Sequence, residues 1–207
     1  MAQNDMQFTH DALPRHRPVV IALHWLTVGL ILLGVAIILT REAIENREWR
    51  QWLLDFHRSI GLSVFIIICL RLILRHWLQV GKVNTGLPRI LAVLSTATHA
   101  VLYLLLIAIP LLGWAQSSAS GRAIHLFWLI PLPPLIGRDR DLAETLSQYH
   151  ELAAWTLLAL ALAHAGAALW HHFFRRDHVL RSMLPLSMLE SGITANQYPS
   201  LPDASSG

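Results

Sequence analysis

Four apolar runs, each about as long as a bilayer is thick, decide what this chain can fold into. A helix needs roughly 20 predominantly apolar residues to cross a hydrocarbon core about 30 Å thick. Pro18 to Thr40 is the first such run, about Ser59 to Leu78 the second, about Ile90 to Trp114 the third and His150 to about Phe174 the fourth. Inside hydrocarbon every backbone N–H and C=O must be bonded within the protein, so runs of this length are helices. Only 14% of the residues are charged and 54% are hydrophobic, against about 25% charged in an ordinary soluble domain. The apolar excess therefore faces lipid, and the expected fold is all-α, an integral membrane four-helix bundle. Pro18 suits a helix start, where its missing N–H costs nothing. The first run is too long, and too poorly followed by small residues, for a cleaved signal peptide, and it is expected to stay as a helix.

Four spans put both termini on one side, and lysine and arginine assign that side to the cytoplasm. The N-terminal arm (Arg15, Arg17), the connection after span two (Arg75, Lys82, Arg89) and the tail (Arg175, Arg176, Arg181) are basic. The other two connections also carry arginines (Arg41, Arg47, Arg50, Arg58, Arg122, Arg138, Arg140), diluted by acids such as Glu42, Glu45, Glu48, Asp55, Asp139, Asp141 and Glu144. The net charge of +3 thus reports topology, and no basic, aromatic-interleaved motif points to nucleic acid. The expected organisation is a cytoplasmic arm over 1–17, a four-helix domain over 18–184 and a polar, poorly ordered tail over 185–207. Between spans three and four, FWLIPLPPLIG is too short and too broken by Pro131, Pro133 and Pro134 to cross. It is expected to lie at the outer interface as a cap.

One cysteine, Cys69, sits in an apolar run and reads as a small hydrophobe, so no disulfide or cysteine-ligated centre is expected within the chain. Twelve histidines and eight tryptophans against three tyrosines are the unusual part of the composition. Trp25, Trp77, Trp114 and Trp170 near the span ends suit an aromatic belt. Histidine in hydrocarbon is expensive unless it binds something. His24 falls roughly 9 Å inside the cytoplasmic end of span one and His164 some 15 Å from that end of span four, at about 1.5 Å per residue. His57 and His150 sit at the outer ends of spans two and four. An inner pair, His24 with His164, and an outer pair, His57 with His150, follow. His150 and His164 are fourteen residues apart, close to four turns, and so project from one face about 21 Å apart.

Two imidazoles facing each other across a bundle are natural axial ligands of haem, and a metal with both axial positions filled transfers electrons rather than binding substrate. The small residues of LALAHAGAAL around His164, and Gly61 one turn after His57, leave room for a flat macrocycle. Arg71 follows His57 by fourteen residues and falls on the same face at the inner level, where a haem propionate would supply the anion a buried arginine needs. Arg75, one turn on, is a second such candidate. Interhelical hydrogen bonding accounts for a single intramembrane histidine as well as ligation does; two depth-matched pairs with a buried arginine favour ligation. On depth alone His99 competes with His24. His171, two turns after His164, points to the cytoplasmic mouth, His172 and His178 read as interfacial, and His10, His16, His76 and His125 carry no signal.

These residues resemble those of the bacterial cytochrome b561 family, four-helix di-haem membrane proteins. The similarity covers about residues 15 to 186 and rests on ALHWL at His24, FHRSIGL at His57, CLRLILR, THAVLYLLLIAIPLLG, YHELA at His150, LAHAGAALWHHFFRRD and LRSMLP. The resemblance implies an all-α integral membrane bundle with two stacked haem b sites, ligated by His24, His57, His150 and His164, with His99 outside the ligand set. It also implies electron exchange with quinone and, for some bacterial members, oxidation of superoxide on the outer side with ubiquinone as acceptor. Longer outer connections and an extended tail are this chain's departures, and they bear on the donor.

The expected function is transmembrane electron transfer between a periplasmic one-electron donor, superoxide for the resembled members, and ubiquinone in the bacterial inner membrane, with no protein nucleophile. Arg58 and Arg122 are candidates to draw an anionic donor. His171, with Arg75 and Lys82, is the candidate quinone site, because a quinone needs hydrogen-bond donors and a proton source. A haem-bearing membrane anchor for a periplasmic redox enzyme is the alternative. A histidine-lined metal transporter fits poorly, since Leu157, Leu158 and Leu160 between the two levels are apolar.

Overall fold

The computed structural model describes residues 18–77 and 89–175. Among them, four helices are long and apolar enough to cross a membrane. These are α1 (Pro18–Ala43), α2 (Arg47–Trp77), α3 (Arg89–Ala119) and α4 (Arg140–Trp170), the last continuing into a π-helical turn at His171–Arg175. Large apolar side chains such as Leu104 and Leu162, each 65% exposed, cover the outside as lipid-facing surface requires. The arm over 1–17, the tail over 185–207 and Leu78, the expected end of span two, lie outside the described residues.

The helices overrun the apolar runs at the end of the bundle away from Pro18. α2 starts at Arg47 rather than near Ser59, and α4 at Arg140 rather than His150. Both starts are set by polar caps. The Asn46 side-chain oxygen accepts the N–H groups of Glu48 (2.9 Å) and Trp49 (3.1 Å), and Asp139 accepts that of Leu142 (3.0 Å), satisfying donors that a helix start leaves free. A 31-residue helix is about 46 Å long, so each of these two stands well clear of a hydrocarbon core about 30 Å thick. α3 ends in a Schellman arrangement: Gly121 N–H bonds Ser118 O (2.9 Å) and Arg122 N–H bonds Ser117 O (3.0 Å), with Gly121 at φ +71°.

The cap is ordered, and it contains a two-stranded hairpin that apolar-run length does not anticipate. β1 (Ile124–Leu126) pairs antiparallel with β2 (Ile130–Leu132), Ile124 opposite Leu132. Its tip puts Phe127 (φ 46°) and Trp128 (φ 62°) in left-handed backbone, at roughly 1–2 kcal/mol per residue for side chains of this kind. Docking offsets this cost. The Trp128 ring stacks on Trp52 (5.6 Å between centroids) and Phe56 (6.2 Å), and Phe127 meets Phe56 edge-on (6.3 Å), each pair contributing about 0.5–1.5 kcal/mol. Ser59, 1% exposed, accepts the Phe127 N–H (3.0 Å) and lies within 3.3 Å of the His125 carbonyl as donor. The returning strand is held by α3, where Trp114 Nε1 donates to Pro133 O (3.0 Å) and Ser118 Oγ accepts from Leu135 N (3.1 Å).

Inside the membrane, α1 packs on α2, α2 on α3 and α3 on α4, whereas among the described residues α4 scarcely meets α1 or α2. Val64 and Ile68 of α2, Leu106 of α3 and Leu157 of α4 form the core, with Cys69 packed against it as a hydrophobe. Leu157 lies midway between His150 and His164, so this apolar layer separates the two histidine levels. Ser59→Ala leaves the Phe127 N–H without its acceptor, a loss of about 1–3 kcal/mol. Proteolytic cutting within residues 120–139 is expected to speed up about tenfold, measured by limited digestion in detergent.

Candidate functional site

At the outer level α2 and α4 bring His57 and His150 together, with ring centroids 6.3 Å apart and planes at 78°. Each ring is anchored through Nδ1 to a carbonyl of the neighbouring helix, His57 to Gly34 O (3.1 Å) and His150 to Ile109 O (3.0 Å). A carbonyl oxygen only accepts, so Nδ1 carries the proton and Nε2 keeps its lone pair, the state in which an imidazole binds metal. Two imidazoles on one iron, with metal–nitrogen bonds of about 2.0–2.1 Å and about 1.1 Å from nitrogen to centroid, have centroids roughly 6.3 Å apart. The outer pair therefore has the spacing of two ligands on one haem iron.

Two glycines back the pair. A Cβ at Gly34 would meet the His57 ring at 3.9 Å, and one at Gly113 would stand 3.2 Å and 3.3 Å from the His150 ring. Gly113 thus lets the imidazole reach the α3 backbone, a close approach that larger residues deny it. The signal for it lies in the sequence, three residues after Pro110, where the helix run is doubly interrupted. Gly61, expected to make room at this level, has nothing within 4 Å of its Cβ position.

The inner level is arranged differently. The ring beside His164 belongs to His99 of α3, with centroids 5.1 Å apart at 80°, and His99 Nδ1 donates to Ser95 O (2.6 Å). That separation is too short for an iron between the two rings, so they meet edge to face. His24, on α1, is half-buried with its own ring 5.7 Å from that of Trp25. Arg71 is 9% exposed and holds its guanidinium 5.7 Å from the centre of the Tyr103 ring, while its Nε makes no hydrogen bond. It lies within Coulombic reach of His164. An unbonded guanidinium nitrogen at this depth suits an anionic group such as a propionate. Arg75 reaches the same tyrosine, its Nη1 donating to the hydroxyl at 3.5 Å.

The other expected residues are spread over the two ends. Arg58 is held by Asp55 (2.6 Å), so an internal acid offsets much of its charge, and Arg122 is exposed. His171 begins the π-helical turn, half-buried with its ring 5.4 Å from that of Trp170. Lys82 lies outside the described residues. Arg41, which the sequence marks only as a loop charge, is half-buried at the outer level, and its Nε is buried without a partner.

Four spanning helices that set an imidazole pair at iron-sandwich spacing define a membrane-embedded haem protein. The family model for prokaryotic cytochrome b561 matches residues 15–186, and the chain belongs to that family. It is 32% identical over 172 residues to cytochrome b561 homolog 1 of Escherichia coli (strain K12), covering 80% of this chain and 94% of that one. It is 30% identical over 165 residues to a probable superoxide oxidase CybB of Yersinia pestis (80% and 93% covered) and 28% identical over 195 residues to cytochrome b561 homolog 2 of Escherichia coli (strain K12) (91% and 100% covered). The chain is accordingly a multi-pass inner-membrane oxidoreductase that carries electrons by haem b.

Gly113→Ala pushes a methyl against the His150 ring and weakens its bond to Ile109. Loss of such an orienting contact typically costs 10–100-fold in metal affinity, so this variant is expected to lose haem about that much more readily, measured by pyridine haemochrome after dilution in detergent.

Proposed function

We propose that the chain holds two b haems in bis-histidine sites and carries electrons from a periplasmic one-electron donor, superoxide, to ubiquinone. The spacing and anchoring of His57 and His150 carry this reading. In it, His57 and His150 hold the outer group through Nε2, and His24 with His164 hold the inner one. Both termini face the cytoplasm, with 1–17 as an arm, 18–184 as the haem domain and 185–207 as a tail. A haem held there would supply a reversible one-electron couple.

The chain's own groups do the rest. Leu157, Val64, Ile68 and Leu106 keep water out between the levels, so each site keeps its own dielectric surroundings and hence its own potential. Arg71, and beside it Arg75, pair with propionate at the inner level. On the outer face Arg58 and Arg122 raise the local concentration of an anion. On the inner face His171 donates a hydrogen bond, then a proton, to a quinone carbonyl, supported by Arg75 and Lys82. The balance is two superoxide anions giving one electron each and leaving as dioxygen, with one quinone taking both electrons and two protons to become quinol. The relative named as a probable superoxide oxidase supports that donor.

An exposed aromatic platform of Trp49, Trp52 and Trp128 on the outer side favours a second reading, an anchor for a periplasmic redox enzyme. Reaction of the purified protein with superoxide supports the first; no reaction, with a co-purifying redox enzyme, supports the second.

Reduced-minus-oxidised spectra with haem quantitation are expected to give two haems per chain, with His57→Ala and His164→Ala each losing a different one. A wild type with a single haem overturns the two-site reading. His171→Ala is expected to keep both haems and slow quinone reduction on the order of 100-fold, the scale of general acid catalysis, read from stopped-flow reoxidation.

A further inference from the structure

Among the described residues, only two buried side-chain polar atoms lack a hydrogen-bond partner, the Nε atoms of Arg41 and Arg71. Arg71 lies near the inner histidine level and Arg41 beyond the outer one. Arg71 is within Coulombic reach of His164, and Arg41 of His57 and Arg58. Arg41 follows Gly34 by seven residues, close to two turns, so it lies on the α1 face whose Gly34 carbonyl anchors His57. It stands about 10 Å further out along the helix.

A position in the last turn of α1 suits a cation, because the helix dipole is negative there. That accounts for the charge but not for an N–H buried without an acceptor, which costs about 1–3 kcal/mol, and more on a charged group. The neighbouring carboxylate is already used: Asp55 binds Arg58 and accepts from Gln51 (3.1 Å). Arg41 and Arg58 thus share the surroundings of His57, and among the described residues Arg41 forms no ion pair. A porphyrin bound by His57 and His150 would bring two carboxylates, groups of the kind an unpartnered guanidinium N–H calls for.

We infer that Arg41 binds a carboxylate of the outer haem through its buried Nε, as a positioning residue that also tunes that haem. The inference rests on the two-haem reading above. A fixed positive charge beside the ring stabilises the ferrous state, which carries one positive charge less, so Arg41 raises the outer potential.

The test uses the full-length haem-loaded protein as wild type, Arg41→Gln and Arg41→Lys, by potentiometric titration with electron paramagnetic resonance of the ferric form. The outer haem is identified as the component missing from His57→Ala. In Arg41→Gln the ferrous-to-ferric ratio of that component at a fixed potential is expected to fall about tenfold, a downward shift of about 59 mV for a one-electron couple. The inner component stays in place, and Arg41→Lys recovers most of the shift. Loss of the outer haem from Arg41→Gln but not from Arg41→Lys supports the same assignment. Unchanged potentials with two haems present overturn it, as does loss of the outer haem from both variants, which marks a packing role. A slower reaction with superoxide at unchanged potential overturns it too and makes the donor the anion. If the wild type itself holds no outer haem, the two-haem reading fails first, and that failure is visible without any substitution.

Discussion

Two helix carbonyls, those of Gly34 and Ile109, accept a hydrogen bond from an imidazole on a neighbouring helix, and the rest of the outer site depends on that arrangement. Hydrocarbon offers no water to share, so a ring left unbonded there would be costly. The carbonyl uses its second lone pair, fixes the tautomer and turns the ring about its own Cβ. A glycine stands at or near each acceptor, and at Gly113 a Cβ would crowd the His150 ring at 3.2 Å. Ligand orientation is thus set by main-chain geometry, which side-chain fluctuations disturb little.

Much of this is legible in the amino-acid sequence. Run length locates four spans, and the fourteen-residue spacings place His150 above His164 and Arg71 at the inner level. Helix ends are less legible, because hydropathy measures where hydrocarbon lies and not where a helix stops. Asn46 and Asp139 are the informative residues there, through their side-chain oxygens. The hairpin at 124–132 is hidden by its own sequence, since Phe127 and Trp128 are poor turn formers that hold left-handed backbone only through the rings beneath them. Depth also ranks His99 and His24 as equals, and only the packing of α3 on α4 puts His99 against His164.

The two levels differ in how they meet charge. On the outer side the cations are several and partly offset, with Arg58 on Asp55 and Arg122 in solvent. On the inner side Arg71 is nearly enclosed, with an aromatic face for company. Between them lies a layer of aliphatic side chains. Aliphatic surroundings do not screen charge, but Coulomb energy falls with distance, and His150 and His164 stand about 21 Å apart along α4, so a charge at one end acts more strongly at that end.

The seam between α1 and α4 bears on how the molecule is put together. α1 with α2, and α3 with α4, are hairpins that bond their own backbones and can each enter a bilayer before they meet. The α2–α3 contact joins the halves, but among the described residues little side-chain packing closes the far side. A flat group bound between the halves would make the last tertiary contacts. Since a state that alone binds a ligand gains stability with ligand concentration, completion of such a bundle would be governed by supply as well as by sequence.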